Sequence, residues 1–157
     1  MWEVAMIRYV HTNLITEDWR KLASFYERIF GCIPMPPHRD LSGKWLDKAT
    51  GIDDAHIRGI HLRLPGYPNN GPTLEIFEYG DMPERPQIDA NTPGFAHIAF
   101  AVDDVERMAA KIIENGGSTI GDLTHKDVDG VGRLTFQYAR DPEGNIIELQ
   151  SWSTEGL

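Results

Sequence analysis

A chain of 157 residues with 41% hydrophobic and 25% charged residues has the composition of one compact folded domain or two small packed modules, not of a disordered chain. Its formal net charge of −9, with no basic run, argues against nucleic acid and anionic membranes as partners. No segment approaches the roughly 20 apolar residues of a membrane span, the start lacks a signal-peptide pattern, and the single cysteine, Cys32, fits a cytoplasmic protein.

Strand and helix patterns follow each other in a regular order along the chain. A strand predicted over residues 5–14 leads to a first helix, "TEDWRKLASFYERIFG", which we expect Thr16 to cap and Gly31 to end. Strand patterns follow at "HIRGIHLRL" and "TLEIFEY". The strand "GFAHIAFAV" then precedes a second helix, for which Asp103 and Glu106 predict a capping box. The last strands predicted are "STIGD", "RLTFQYA" and "NIIELQSW".

The order of strand, helix and several strands therefore occurs twice, and individual residues recur with it. Seven positions separate His11 from Asp18, and seven separate His97 from Asp104. Each half also ends in an apolar strand that contains an acid, "TLEIF" in the first and "IIELQ" in the second. We interpret this pattern as a duplicated module.

The two predicted modules differ in length. The first covers about residues 4–82 and the second about residues 94–152, within a single domain of residues 1–157. "YGDMPERPQIDANTPG" reads as the linker between them. The first module carries extra sequence at residues 34–55, whose proline, glycine and aspartate content predicts a long surface loop.

Four polar residues interrupt apolar strands at mid-strand positions: His11, Glu75, His97 and Glu148. Alternation places each of them on the face opposite the apolar residues that would pack under a helix. Taken singly, such residues are usually hydrogen-bonded histidines or solvated glutamates, but their recurrence in both halves favours a shared role. Two imidazoles and two carboxylates suit one divalent ion such as nickel, zinc, cobalt, iron or manganese.

The other histidines are weaker candidates. By alternation His61 falls with Arg63 on an exposed strand edge, where we expect a structural role. His38 and His125 are predicted to lie in loops, from which they could approach a substrate.

The stretches "HTNLITEDWRKLASFYERIFG", "PTLEIFEY", "GFAHIAFAVDDVE" and "DPEGNIIEL" resemble the vicinal oxygen chelate superfamily, over about residues 5–152. That superfamily includes glyoxalase I, methylmalonyl-CoA epimerase, extradiol dioxygenases, and bleomycin and fosfomycin resistance proteins. The resemblance implies an α+β fold in which two βαβββ modules form a curved, mixed, barrel-like sheet, with helices outside and a metal ion inside.

The resemblance also assigns the four polar residues. It implies that His11 and Glu75 are the metal ligands of the first module, and that His97 and Glu148 are those of the second. This set looks most like that of bacterial glyoxalase I. The epimerase differs mainly in an amide at the position of Glu75, and dioxygenases typically use two histidines and one glutamate. Family members commonly pair modules across a dimer, so we expect a homodimer whose ligands come from one chain or from two.

We therefore expect a metal-dependent lyase or isomerase of the glyoxalase or epimerase type. A small substrate would chelate the ion through oxygens on adjacent carbons, and removal of a carbon-bound proton would give an enediolate whose charge the ion stabilises. Glu148, or its counterpart Glu75, is the expected base. The alternatives are an iron-dependent ring-cleaving dioxygenase of extradiol type, and a non-catalytic small-molecule binding or resistance protein.

Overall fold

The fold is built from two units that share the order strand, helix and three further strands, and the first unit has one additional short helix. A computed structural model describes residues 6–154, and the chain divides into one unit that ends at Pro83 and another that begins at Glu84. Unit 1 contains β1 (His11–Ile15), α1 (Trp19–Phe30), β2 (Ile33–Ser42), α2 (Lys44–Thr50), β3 (His56–Arg63) and β4 (Thr73–Tyr79). Unit 2 contains β5 (His97–Ala101), α3 (Val105–Glu114), β6 (Ser118–Val128), β7 (Gly132–Arg140) and β8 (Ile146–Ser153).

Each unit forms one four-stranded mixed sheet. The strand order is β1-β4-β3-β2 in unit 1 and β5-β8-β7-β6 in unit 2. The β1–β4 and β5–β8 pairs are parallel, and all other pairs are antiparallel. The helix that follows the first strand supplies the long connection needed before a parallel partner can pair. This arrangement confirms the predicted α+β class and the two βαβββ modules.

The register of the two sheets is also the same. In unit 1 the residue two positions after His11 pairs with Glu75, and in unit 2 the residue two positions after His97 pairs with Glu148. The β2–β3 and β6–β7 pairs each contain one register shift. Equivalent positions in the two units can therefore be compared one by one.

Helix α1 covers one face of the first sheet and packs against β3 and β4. The apolar residues predicted to form its inner stripe are all buried, namely Trp19, Leu22, Phe25, Tyr26 and Ile29. They meet a layer of fully buried strand residues that includes Leu62, Leu74 and Ile76. Helix α3 packs in the same way on β6, β7 and β8. Because the helices take up one face of each sheet, His11, Glu75, His97 and Glu148 lie on the other face.

The prediction of a long surface loop at residues 34–55 is wrong. These residues form most of β2 and all of α2. The prolines argue against a strand because they lack a backbone N–H. They are tolerated here because β2 is an edge strand. Helix α2 is too short to show a helical period, and it is held by one buried side chain, Leu46.

No helix within residues 6–154 is long and apolar enough to cross a membrane.

Three predicted boundaries are also wrong. Strand β1 starts at His11, and residues 6–10 are not in a strand, while Ala5 lies outside the described residues. Helix α1 is capped by Asp18 rather than Thr16, because the Asp18 carboxylate accepts hydrogen bonds from the backbone N–H groups of the first turn. Helix α3 is likewise capped by Asp104, one residue after the predicted Asp103.

Candidate metal-binding site

In unit 1 the first predicted ligand pair is in contact. The Nε2 atom of His11 lies 2.8 Å from the Oε1 atom of Glu75. Strand β1 pairs directly with β4, and the two residues occupy diagonal positions on the face away from α1. The Glu75 side chain is 8% exposed and that of His11 is 41% exposed, so the carboxylate is buried while the imidazole borders the open side.

His61 is a second imidazole near the Glu75 carboxylate. The prediction that His61 lies on an exposed strand edge is therefore wrong. Strand β3 runs between β2 and β4, and His61 pairs directly with Glu75, with Nε2 3.6 Å from Oε2. Its ring stands edge-on to the rings of His11 and Phe77, with centroids 6.3 and 5.6 Å away. Burial lowers the pKa of His61 below its usual value; Glu75 opposes this, while Arg39 and His11 add to it.

Unit 2 holds the second predicted pair. The Nε2 atom of His97 lies 3.2 Å from the Oε2 atom of Glu148. The residue that pairs with Glu148 across β7 and β8 is Tyr138, whose ring centroid lies 5.1 Å from that of His97. Tyr138 therefore occupies the position that His61 has in unit 1. Tyr138 does not stand out in the sequence, because an aromatic residue in a strand normally indicates core packing.

The turn before β8 fixes the position of Glu148 in the second sheet. The buried Asp141 carboxylate accepts hydrogen bonds from the backbone N–H groups of Glu143 and Asn145 and from the Asn145 side-chain amide, at 2.7–2.9 Å. Gly144 adopts a φ of 91°, which favours glycine. The sequence "DPEGN" is thus a closed turn that sets where β8 begins.

The geometry of each pair fits two adjacent ligands of one divalent ion. Bonds of about 2.1 Å to nitrogen and oxygen at right angles would place the two ligand atoms about 3 Å apart. The observed separations of 2.8 and 3.2 Å agree with this spacing. Within the described residues of each unit, no group of three or more histidine, cysteine, aspartate or glutamate side chains is gathered to hold an ion. Each unit therefore offers half of the ligand set proposed from the sequence.

The remaining candidates have other surroundings. His38 and His125 lie in strands β2 and β6 rather than in loops, which corrects both predictions. The His38 ring stacks on Trp19 with centroids 5.8 Å apart, and Nδ1 of His125 lies 2.9 Å from the Thr135 hydroxyl oxygen. Cys32 is buried, and burial raises the pKa of its thiol to about 12, so it stays protonated and unreactive at neutral pH.

Comparison with solved structures places this architecture among proteins of the glyoxalase type. A glyoxalase family protein from Bacillus cereus superimposes with a TM-score of 0.80 at 18% identity, covering 97% of this chain and 98% of that one. A glyoxalase family protein from Enterococcus faecalis gives a TM-score of 0.55 at 24% identity, covering 94% and 98% of the two chains.

A comparison of the sequence with protein-family models identifies the family. The family model described as "Glyoxalase/Bleomycin resistance protein/Dioxygenase superfamily" matches residues 8–149, and the chain belongs to this superfamily. A protein of Synechocystis named "Probable lactoylglutathione lyase" is 29% identical over 113 residues, which is 63% of this chain and 82% of that protein.

Proposed function

We propose that the protein is a metal-dependent lyase or isomerase of the glyoxalase or epimerase type. It transfers a proton on a small substrate that has oxygens on adjacent carbons. The observation that carries this proposal is the repeated His–Glu contact, which occurs once in each unit at the same register position. Membership of the superfamily and the name of the Synechocystis relative support the same class of reaction.

The proposed ligands of one divalent ion are His11, Glu75, His97 and Glu148, and nickel, zinc, cobalt, iron and manganese all suit these donors. When bound, such an ion supplies Lewis acidity, which favours the negative charge that develops on substrate oxygens. The two imidazoles bind through Nε2, the atom that faces the carboxylate in each pair.

Glu148 is the proposed base. Its carboxylate contacts one imidazole at 3.2 Å and is 15% exposed, whereas the Glu75 carboxylate lies near two imidazoles and is 8% exposed. A carboxylate with fewer fixed partners can more readily take a proton from carbon on an Oε atom and then release it to the enediolate. Glu75, held between His11 and His61, is better suited to binding the ion than to moving a proton.

Metal analysis followed by proton exchange tests this function. Protein incubated with each of the five ions and then desalted is expected to retain about one ion per chain, measured by elemental analysis. The variants H11A and H97A should lose it, while the control H125A should keep it. Substrate exchange is then followed by NMR in heavy water, starting with lactoylglutathione, the compound that the relative's name contains. Protein that retains none of the five ions would rule out the proposal.

We also propose a homodimer, as expected from the resemblance to the superfamily, and a cytoplasmic location, as expected from the single cysteine. Gel filtration with light scattering measures the mass of the particle against the 17.7 kDa of one chain. A particle of that mass at micromolar concentration would contradict the dimer.

A further inference from the structure

The sheet face of unit 1 that carries the His11–Glu75 pair, called the site face below, also carries two arginines. Arg63 lies two residues after His61 in β3 and therefore points to the same face. Arg39 lies in β2 opposite Gly59, two residues before His61, so it belongs to this face as well. The two arginines thus flank His61 on either side, and the contribution of Arg39 to the lowered pKa of His61 agrees with their proximity.

Neither arginine has a carboxylate partner among residues 6–154. A guanidinium N–H of Arg63 donates to the Asn69 side-chain oxygen at 2.7 Å, and one of Arg39 donates to the backbone oxygen of Pro37. At the paired strand positions of the site face, Glu75 is the sole acid. The α1 face of the same sheet differs, because Arg58 there forms an ion pair of 2.8 Å with Glu78.

Unit 2 lacks this pair of cations, although the registers match. The position equivalent to Arg39 is Thr124, which follows the register shift in β6 as Arg39 does in β2. The position equivalent to Arg63 is Arg140, but its guanidinium lies 3.6 Å from the Asp89 carboxylate. Two arginines without a described carboxylate partner therefore lie near the His–Glu pair of unit 1, whereas the equivalent positions of unit 2 hold Thr124 and an ion-paired Arg140, in a chain whose net charge is −9.

The apolar end of the site face is closed. Helix α2 packs there through Leu46, which joins a cluster with Ala55, Ile57, Phe77 and Tyr79. A ligand at the His11–Glu75 pair therefore meets apolar side chains in the direction of α2. The polar positions of the site face lie beside the pair, at Asn13 and Thr73, and around His61.

We propose that Arg39 and Arg63 form an anion subsite on the site face of unit 1, which binds a carboxylate or phosphate arm of the substrate. The inference rests on the proposed function for the other end of the substrate, where the chelating oxygens lie near the His11–Glu75 pair. Arginine is suited to this role because its planar fork of N–H donors matches both oxyanions. The substrate class is thus an anionic small molecule with oxygens on adjacent carbons.

Three probes with the same 2-hydroxycarboxylate end test the subsite: lactate, which has no second anion, malate, which adds a carboxylate arm, and 3-phosphoglycerate, which adds a phosphate arm. Their dissociation constants are measured by calorimetry on metal-loaded protein. R39Q and R63Q should each weaken malate or 3-phosphoglycerate about 10-fold or more, as expected for the loss of a charge-assisted contact. Lactate should change by less than about 2-fold. A larger change in the dissociation constant of malate indicates that the subsite binds a carboxylate. A larger change for 3-phosphoglycerate indicates that it binds a phosphate.

Two further variants control for fold and charge. R39K should recover part of the affinity, because it keeps the positive charge but not the fork. R20Q removes one exposed cation on α1, where the guanidinium lies over the Trp19 ring, and should leave all three probes unchanged. Thermal unfolding of each variant excludes loss of fold. Equal changes for lactate and the armed probes, or unchanged affinity for both armed probes in R39Q and R63Q, would overturn the subsite.

The same titrations separate the subsite from the metal proposal. If the protein retains no ion, the proposed function fails, and the 3-phosphoglycerate titration is repeated on metal-free protein. Weaker binding in R39Q and R63Q than in R20Q would still support the subsite there. Equal binding in all three variants would exclude it.

Discussion

Two carboxylates of the same chemical type have different surroundings in the two units. Glu75 lies between the imidazoles of His11 and His61, at 2.8 and 3.6 Å, whereas Glu148 has one imidazole partner, His97. A ligand gains from being fixed, while a base must change its protonation state during each turnover. The difference in surroundings therefore supports different roles for two residues that the repeat makes equivalent.

Replacement of Glu148 by glutamine is expected to lower turnover by about 10²- to 10⁴-fold, because an amide cannot accept the substrate proton. Ion content should fall much less, since the amide oxygen is still a donor. Turnover is compared with ion content measured on the same sample. E75Q is the matched variant, and its turnover should fall less than that of E148Q, because Glu75 is proposed to bind the ion rather than to move the proton. Near-normal turnover in ion-loaded E148Q protein would exclude Glu148 as the base.

His61 is expected to support the ion through Glu75. Removing a group that orients a ligand typically weakens metal binding about 10- to 100-fold. H61A should therefore show a higher dissociation constant for zinc, measured by competition with a chromophoric chelator. H125A is the control, because its imidazole contacts Thr135 on β7 instead of a carboxylate. Equal zinc affinity in H61A and H125A would show that His61 has no such role.

The sequence allowed some of these residues to be predicted and not others. Alternation within a single strand was enough to identify Glu75 and Glu148, because the side-chain period of two does not depend on the partner strand. The neighbours His61 and Tyr138 could not be assigned in this way. Their contacts depend on the register between β3 and β4 and between β7 and β8, which the connecting loops set.

The N-cap of helix α1 is Asp18, a carboxylate whose ionisation is linked to folding. The backbone N–H of Lys21 donates to Asp18 and holds the pKa of that carboxyl below its usual 3.8. A lowered pKa in the folded state means that the charged cap stabilises the protein above about pH 4. That contribution is lost as the pH falls through the folded-state pKa.

The variants D18A and D18N separate the cap from its charge. D18A should lose about 1 kcal/mol of unfolding free energy at pH 7, while D18N should lose less because asparagine caps nearly as well. Between pH 7 and pH 3 the wild type should lose stability relative to D18N, because only aspartate is protonated. Urea unfolding at several pH values measures these differences. A constant difference between wild type and D18N across this range would contradict the linkage.

The helices and strands that could be predicted from the sequence are those with a clear hydrophobic period. Helix α1 was predicted because five apolar residues repeat at helical spacing and all are buried. Strand β2 and helix α2 were not predicted, for two different reasons. The prolines of β2 are typical of loops but are tolerated at a sheet edge, and seven residues are too few for α2 to show a period.

At the scale of the whole molecule, two units with the same register have diverged in the residues beside each His–Glu pair. Unit 1 places His61 and two arginines without a described carboxylate partner near its pair, and unit 2 places Tyr138 there. A repeat of this kind can divide one task, with one half binding an anionic group and the other supplying the base. Under the two proposals, unit 1 would bind the anionic arm of the substrate and unit 2 would supply the base.

The origin of the four proposed ligands, from one chain or from two, can be decided by mixing variants. H11A damages the pair of unit 1 and H97A that of unit 2, so each protein alone should bind no ion tightly. If a site combines unit 1 of one chain with unit 2 of its partner, unfolding and refolding the two variants together creates one intact site per mixed dimer. Random pairing makes half of the dimers mixed, so ion content and turnover should recover to about one quarter of the wild-type level. If both pairs of a site belong to the same chain, every site in the mixture keeps one damaged pair and nothing is recovered. Wild-type protein taken through the same refolding gives the reference, and a refolded mixture of H11A with H11A,H97A should recover nothing in either case.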